Sequence, residues 1–433
     1  MRSSAPCHSG PGRACPLLCH PPLVASLRRR LILFATGVAV VAILLALAVT
    51  VAEPRLDGDP SAPAPDEIVG VVHVHTDASD GGGTLEQVLD AANGLGLDFV
   101  VLTDHNVRGA PGWEYRDSVL LIVGEEVNTP YGHLLVIGER PVGDRRAGVM
   151  GSVTPSSPES PTDGAGSSEA PVVEPHEGLR IVAHPTGRPR WTAWDDDHFD
   201  GIEIWNADTE RRNDTFGEWL VAVALLPLRP LAGLYHLLDH PDDALALWDR
   251  LQRDRPVFGV CSVDAHHSLP LNRSRTLDLH FPAYRHSFQM ARQHVLLDAP
   301  LSGNSAEDGR RILSAIREGR SYCAFDGLAD GRGARFTVTS GEERAGIGGS
   351  VAWRTGAEIR IALPPGGPAE ATVRVIRDGE ALREESGPSL AIPLPGPGTY
   401  RVEVLLERGE RVPWILTNPV RLTDPGTGGS SIR

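Results

Sequence analysis

Seven short apolar runs recur between residues 68 and 263, at 68–74 (IVGVVHV), 98–103 (DFVVLT), 119–124, 133–137, 180–184, 201–205 and 257–263. Most are continuous rather than alternating. That is the pattern of strands buried on both faces of a parallel sheet. Between the first two, Thr84 stands as an N-cap with Gln87 three residues on. Leu85, Val88 and Leu89 supply an apolar stripe and Gly94 a stop, which predicts a helix over 84–94. Strands joined by helical crossovers predict a barrel-like α/β domain. The stretch SAEDGRRILSAIREGRSYCAF predicts one more helix and strand to complete it. From about residue 330 the texture changes to short alternating strands (ARFTVTS, AEIRIAL, ATVRVIRD, TYRVEVLLE) divided by Gly/Pro turns, which predicts a small antiparallel β-sandwich.

Two segments break this rhythm. Residues 31–52 hold 22 apolar or small residues and no charge, directly after Arg28, Arg29 and Arg30. That length suits a membrane-spanning helix, and the arginines would stay in the cytoplasm. A signal sequence cut after Ala48 or Ala52 is the other reading. Either way, residues beyond 52 are expected outside the cytoplasm. Residues 140–176 are rich in Ser, Pro and Gly and predict a disordered insertion. The segment 219–238 (WLVAVALLPLRPLAGLYHLL) is also apolar, but two prolines and Arg229 interrupt it, so it predicts a buried or interfacial helical pair. The expected organisation is thus a basic tail (1–30), an anchor or signal (31–52), a Pro-rich linker (53–67), an α/β domain (68–329), a sandwich (330–425) and a tail (426–433).

A hydrophobic share of 41% and a charged share of 22% in 433 residues exclude wholesale disorder. Net charge is −15, and the first 52 residues carry +5, leaving −20 on the rest. So acidic a body excludes nonspecific nucleic-acid binding, although bound cations would let it act on small anions. Of five cysteines only Cys261 and Cys323 lie beyond residue 52. A disulfide between them is possible in an oxidising compartment, and two buried thiols are the first expectation.

The chemistry gathers where strands end. HVHTDASDG (73–81) offers His73 and His75 from one strand end and Asp80 just beyond. Later runs close on Asp104–His105, Glu125–Glu126, His184, and Asp264 with His266, and the fourth run opens on His133. Imidazoles and carboxylates repeated at one end of successive strands describe a transition-metal site, since catalytic groups collect at that end of α/β barrels.

These motifs, HxHT…SDG, TDH, GHxL, AHP and DAH in this order over residues 68–267, resemble the PHP (polymerase and histidinol phosphatase) family of metal-dependent hydrolases. The resemblance implies a distorted seven-stranded (β/α)7 barrel and two or three divalent ions (Mn, Zn or Fe). It implies as ligands His73, His75, Asp80, His105, Glu126, His133, His184, Asp264 and His266. Glu126 is preferred to Glu125, and His266 to His267, on the family's register. Asp104, beside ligand His105, is the candidate catalytic residue, read either as a group that orients a ligand or as a proton-handling one, and Arg108 is a candidate substrate contact. The export segment and trailing sandwich look like a carbaryl hydrolase-like branch.

The function expected is an exported, membrane-anchored hydrolase of small molecules, first of all a phosphoesterase. A carboxyl-ester, carbamate or amide hydrolase is the alternative, for which Trp191, Trp194 and Trp205 are candidate pocket walls. An envelope binding or scaffold protein is the rival from another class.

Overall fold

The computed structural model describes residues 36–37, 66–107, 112–138, 178–195, 198–213, 215–225, 229–270, 278–407 and 411–425. Arg108, the insertion at 140–176, both tails, residues 53–65 of the linker and all of 31–52 except Thr36 and Gly37 lie outside these ranges. Among the described residues no helix is long and apolar enough to cross a membrane.

Eight strands build the first part: β1 (Glu67–Val74), β2 (Phe99–Leu102), β3 (Trp113–Arg116), β4 (Val119–Thr129), β5 (Gly132–Ile137), β6 (Leu179–Val182), β7 (Gly201–Asn206) and β8 (Phe258–Ser262). They follow the order β1-β2-β4-β5-β6-β7-β8, with β3 as an added edge on β4. The ring closes because the chain beyond β8 returns to β1. Val263 donates to the Val72 carbonyl (3.1 Å), and His75 donates to the Ala265 carbonyl (3.0 Å). Seven strands therefore encircle the barrel, and every residue of β1 is buried.

The seven apolar runs fall on these seven strands, but the crossovers differ from expectation. β4 and β5 form an antiparallel hairpin, and β5 pairs antiparallel with β6. Only Pro130 and Tyr131 separate β4 from β5. A link that short permits only an antiparallel turn, since a parallel crossover needs a dozen residues or more. Helical links occur between β1 and β2, through α1 (Leu85–Gly94), and between β7 and β8. The second carries α2 (Ala207–Asn213), α3 (Phe216–Leu225), α4 (Pro230–Tyr235) and α5 (Asp242–Leu251). α1 starts where expected: Thr84 accepts from Gln87 N–H and the Gln87 side chain accepts from Thr84 N–H, a complete capping box. The apolar segment 219–238 is the α3–α4 pair, on which Leu220 is 53% exposed.

Both faces of the barrel strands are covered, as continuous apolar runs require. Val72, Val101, Ile122 and Ile181 share one cluster with Ile312 and Ile316 of α7 (Ser305–Arg317), while Val69, Val71 and Val74 pack with Val88 and Leu89 of α1.

A two-stranded ribbon, β9 (Leu269–Pro270) and β10 (Asp278–Leu279), and the short helix α6 (Tyr284–Ser287) lead out of the barrel. β11 (Arg292–Leu296) then pairs antiparallel with the first half of β1, and β12 (Ser321–Ala324) with β11. In the last part, β13 (Arg335–Ser340), β14 (Glu343–Gly346), β16 (Glu358–Ala362) and β19 (Ser389–Pro393) make a separate antiparallel sheet. β15 (Ser350–Ala352), β17 (Thr372–Arg377), β18 (Glu380–Ser386), β20 (Gly398–Glu407), β21 (Arg411–Thr417) and β22 (Val420–Thr423) extend the barrel's own sheet, because β21 pairs with β12. The two layers meet over Val338, Ile359, Val373 and Val402.

The expectation of two free thiols needs correction. β8 and β12 bring Cys261 and Cys323 to a Cα separation of 5.6 Å, and the two form a disulfide.

Candidate metal centre

The carboxyl-terminal ends of β1, β2, β6 and β8, together with the β4–β5 hairpin, deliver nine side chains to one place. Glu126 is at its middle. Its Oε2 stands 3.1 Å from His73 Nε2, 3.2 Å from His75 Nε2 and 3.2 Å from His105 Nε2. Its Oε1 is 2.8 Å from His133 Nδ1 and 3.1 Å from His184 Nε2. Asp264 Oδ1 lies 3.4 Å from a nitrogen of each of His73, His75 and His266. Asp80 Oδ1 lies 3.3 Å from His266 Nε2 and 3.9 Å from His105 Nε2. Three overlapping groups of donors result: His75–Asp80–His105–His266, His73–His75–Glu126 and His105–Glu126–His133.

Hydrogen bonding alone does not account for this crowding. One carboxylate oxygen cannot be aligned with three imidazole nitrogens at once. His75 is completely buried, yet neither ring nitrogen has a hydrogen-bond partner, and the same holds for His105 Nδ1 and His184 Nδ1. Unsatisfied buried nitrogens are costly, on the order of 1–3 kcal/mol each. Metal–ligand bonds of about 2.0–2.1 Å put neighbouring donor atoms about 2.8–3.4 Å apart across octahedral and tetrahedral geometries. The observed separations around Glu126 Oε2 and Asp264 Oδ1 fall in that interval. Imidazole and carboxylate together suit Zn, Mn or Fe, so the donor set fits divalent transition ions.

Backbone strain marks the same place. His73 (φ 69°), His184 (φ 31°) and Asp264 (φ 42°) occupy the left-handed region. For residues with a Cβ this costs on the order of 1–3 kcal/mol each and is typical of functional sites. His73 also sits where the β1–β2 register shifts between Val72 and Val74. Simple alternation along β1 therefore does not explain why His73 and His75 converge. A bulge turns His73 inward beside His75, and their rings lie 4.9 Å apart.

Charge is concentrated accordingly. Burial works to raise the Glu126 carboxyl, but the charge of His73 and hydrogen bonds from His133 and His184 outweigh it and hold it well below the usual carboxylate range. Burial opposes charge on His266, while Asp264 and Asp80 prevail and push its pKa up to about 9. Burial likewise opposes charge on His73, and Asp264, Glu203 and Glu126 raise it well above the ordinary value. A concentration of negative charge that draws protons this strongly also draws cations, which compete for the same lone pairs.

Asp104 stands apart from the donors. Its Oδ1 accepts from Thr76 N–H (2.7 Å) and Ser79 Oγ (2.6 Å), and its Oδ2 from Thr76 Oγ1 (2.7 Å). Both carboxylate oxygens are thereby tied to Thr76 and Ser79, in the turn that carries Asp80. Tyr284 pins the other end, donating to the His75 carbonyl at 2.7 Å. Of the two register choices, Glu126 is 1% exposed and central, and His266 faces Asp80, whereas the His267 ring packs on His280 and Tyr284.

Glu203 and its partner Asn206 escaped the sequence reading. Glu203 is 1% exposed, and its Oε1 accepts from His73 Nδ1 at 2.6 Å. Its Oε2 accepts from His184 N–H (2.6 Å) and from Asn206 Nδ2 (2.7 Å). The available signal was a glutamate inside the apolar run GIEIWN, where an unpartnered charge would be prohibitive.

A cavity of about 350 Å³ opens over the donors. Its lining includes Arg188, Arg211 and Arg212 as well as Trp205, Leu234, Leu237 and Met290. Arg211 and Arg212 are both paired with Asp208. Trp191 is 3% exposed and packs edge-on against Phe199, as does Trp194, so of the three tryptophans only Trp205 lines the cavity.

No protein-family model matches the sequence, and no curated protein matches it. Among solved structures, a two-domain protein from Bacteroides vulgatus ATCC 8482, containing a predicted PHP-like metal-dependent phosphoesterase, is similar over 84% of this chain and 99% of its own. The identity is 12% and the TM-score 0.35. A proposed metal-dependent phosphoesterase from Bifidobacterium adolescentis ATCC 15703 is similar over 48% of this chain and 89% of its own, with 15% identity and a TM-score of 0.25. The case for metal chemistry rests on the donor geometry above.

Proposed function

We propose that this chain is a PHP-type, metal-dependent hydrolase that cleaves phosphate esters of small molecules. One observation carries the proposal: nine imidazole and carboxylate groups converge on Glu126 and Asp264 at ligand-edge distances, with buried ring nitrogens left without hydrogen bonds. Two or three bound divalent ions would supply a water acidic enough to attack near neutral pH, and positive charge for the ester oxygens. The protein's own part is to hold the donors. Glu126 and Asp264 each face three or more imidazoles, Asp104 and Tyr284 fix the 75–83 turn, and the cavity leaves room for substrate beside the donors. Arg188, an exposed residue of the cavity lining, is the guanidinium we assign to the phosphate oxygens. Arg108, the earlier candidate for this part, lies outside the described residues.

The apolar lining residues Leu234, Leu237 and Met290 favour a second reading in which a carboxyl ester or carbamate of the carbaryl hydrolase-like kind is cleaved. A panel of p-nitrophenyl phosphate, a phosphodiester and a naphthyl carbamate separates the two. Turnover of the phosphate alone is expected; turnover of the carbamate alone overturns the phosphoesterase reading. Protein without Mn, Fe or Zn by elemental analysis, and unable to take them up, would remove the metal reading altogether.

We assign residues 68–329 to the hydrolase and 330–425 to the sandwich. We place the chain outside the cytoplasm, held by 31–52; the arginines preceding that segment and the Cys261–Cys323 disulfide support this.

A further inference from the structure

The three donor residues that themselves have left-handed backbone, His73, His184 and Asp264, come from three separate elements, yet all touch one pair of side chains on β7. Glu203 accepts from the His73 ring through Oε1 and from the His184 backbone N–H through Oε2. Asn206 Nδ2 donates to Glu203 Oε2 (2.7 Å), to Asp264 Oδ2 (3.2 Å) and to Ser262 Oγ (3.3 Å). Asn206 Oδ1 accepts from Thr209 N–H, so the same amide also fixes the first turn of α2, which borders the cavity. The β7–β8 register shifts between Glu203 and Trp205, which breaks the simple alternation of β7 beside this pair.

We propose that Glu203 and Asn206 are positioning residues of the metal centre, holding His73, His184 and Asp264 in their strained conformations and presenting Nε2 of His73 as a free lone pair. The chemistry is directional. A carboxylate only accepts hydrogen bonds, so the His73 proton facing Glu203 must sit on Nδ1. In the neutral ring Nε2 is then unprotonated, and it faces Glu126 and Asp264. An amide at position 203 can turn its NH2 toward Nδ1. The ring then carries its proton on Nε2, aimed into the donor cluster, where it blocks ligation. At position 206 the amide is equally specific: a carboxylate there would set two negative oxygens against Glu203 and Asp264. The inference rests on the metal-centre reading, and it concerns metal affinity before it concerns turnover.

The test uses the full chain with Mn²⁺ alone, and Zn²⁺ in competition with a chromophoric chelator, for Glu203→Gln, Asn206→Asp, His73→Ala and Asp326→Asn. Asp326 belongs to a buried network at the opposite end of β1 and serves as the control for losing a buried carboxylate. Glu203→Gln and Asn206→Asp are expected to weaken metal affinity about 10- to 100-fold, the usual effect of removing a group that orients a ligand. Asp326→Asn is expected to lower thermal stability and leave metal affinity within about twofold of wild type. Glu203→Asp is the conservative variant. One methylene shorter, it keeps the acceptor and should recover part of the affinity that Glu203→Gln loses, and it stands in if that variant does not fold. Wild-type affinity in folded Glu203→Gln and Asn206→Asp, with loss in His73→Ala, would overturn the proposal and leave the metal centre intact. Retained metal in His73→Ala would instead overturn the reading on which it rests.

Discussion

β1 has a buried histidine–carboxylate cluster at each end, and the two are built to opposite rules. At its start, His294 lies between Glu67 (2.9 Å) and Asp326 (3.2 Å). Tyr322, Arg335 and the Gly333 N–H also donate to Glu67, and Arg292 and the Gly331 N–H donate to Asp326. Both ring nitrogens of His294 are engaged, and no residue of this cluster that carries a Cβ has a left-handed backbone. At its finish, His75 is as deeply buried but has no hydrogen bond to either nitrogen, and neighbouring residues are strained. Burial, residue types and strand are shared; satisfaction is not. A histidine–carboxylate cluster complete in itself is a brace, and one whose lone pairs converge without partners is a receptor for something else.

The sharpest way to break this contrast is to delete one residue of the unsatisfied cluster. His75→Ala should abolish esterase activity by at least about 10⁴-fold, because the attacking water loses the acidity a metal confers. Chelator treatment of wild type should do the same, with recovery on adding Mn²⁺. Activity within tenfold of wild type in the variant would show that His75 is only a core residue, and the contrast would collapse.

The disulfide joins β8, which leads into Asp264, to β12, which abuts the brace. With its cysteines 62 positions apart in the sequence, its loss should cost about 4 kcal/mol of stability through the unfolded chain. Denaturant unfolding of Cys261→Ser/Cys323→Ser checks this, and metal stoichiometry should not change.

The brace predicts a pH dependence of its own. Burial opposes charge on His294, but Asp326 and Glu67 raise its pKa to about 9. Stability from this group is thus fully present below about pH 6.5 and lost as pH rises through 9, an effect of about 3 kcal/mol. Burial likewise opposes charge on Glu67, and His294 lowers it to about 2; Asp326 is also held at about 2. Their contribution is present above about pH 4.5 and lost as pH falls through 2. Denaturant midpoints between pH 5 and 10, measured with metal bound, should decline on the alkaline side, and Asp326→Asn should flatten that decline. An unchanged alkaline limb in Asp326→Asn would mean that His294 is not the group responsible.

The two ends of β1 also differ in how far they could be read in advance. His73, His75, His105, His184, Asp264 and His266 each end or follow an apolar run, so the strand pattern itself gathered them before any fold was known. Glu67 stands at the start of the first strand, and His294 and Asp326 lie more than 200 residues away. Only the antiparallel return of β11 and β12 brings them together, and no local spacing announces it. Glu203 was hidden for a related reason: within GIEIWN it reads as one polar residue in a strand, and its three partners come from β1, β6 and its own β7. The β4–β5 hairpin was hidden as well, because the apolar runs at 119–124 and 133–137 stand eight residues apart and the polar residues that extend both strands to Thr129 and Gly132 carry no strand signal; the bulge at His73 was not visible either.

The smallest effect tests whether the loop between these ends depends on the helix that follows it. Thr84 caps α1 through its side chain and through the reciprocal bond from Gln87, and it closes the 76–83 turn that carries Asp80. Thr84→Ala should cost about 1 kcal/mol of stability, the usual value of a lost N-cap. Metal affinity should stay within about threefold of wild type. Asp104 and Tyr284 pin that turn through five hydrogen bonds of their own, three to Asp104 and two from Tyr284 to the His75 and Gly83 carbonyls. A large loss of metal in Thr84→Ala would show instead that Asp80 is placed by the helix start, and that the turn has no independent rigidity.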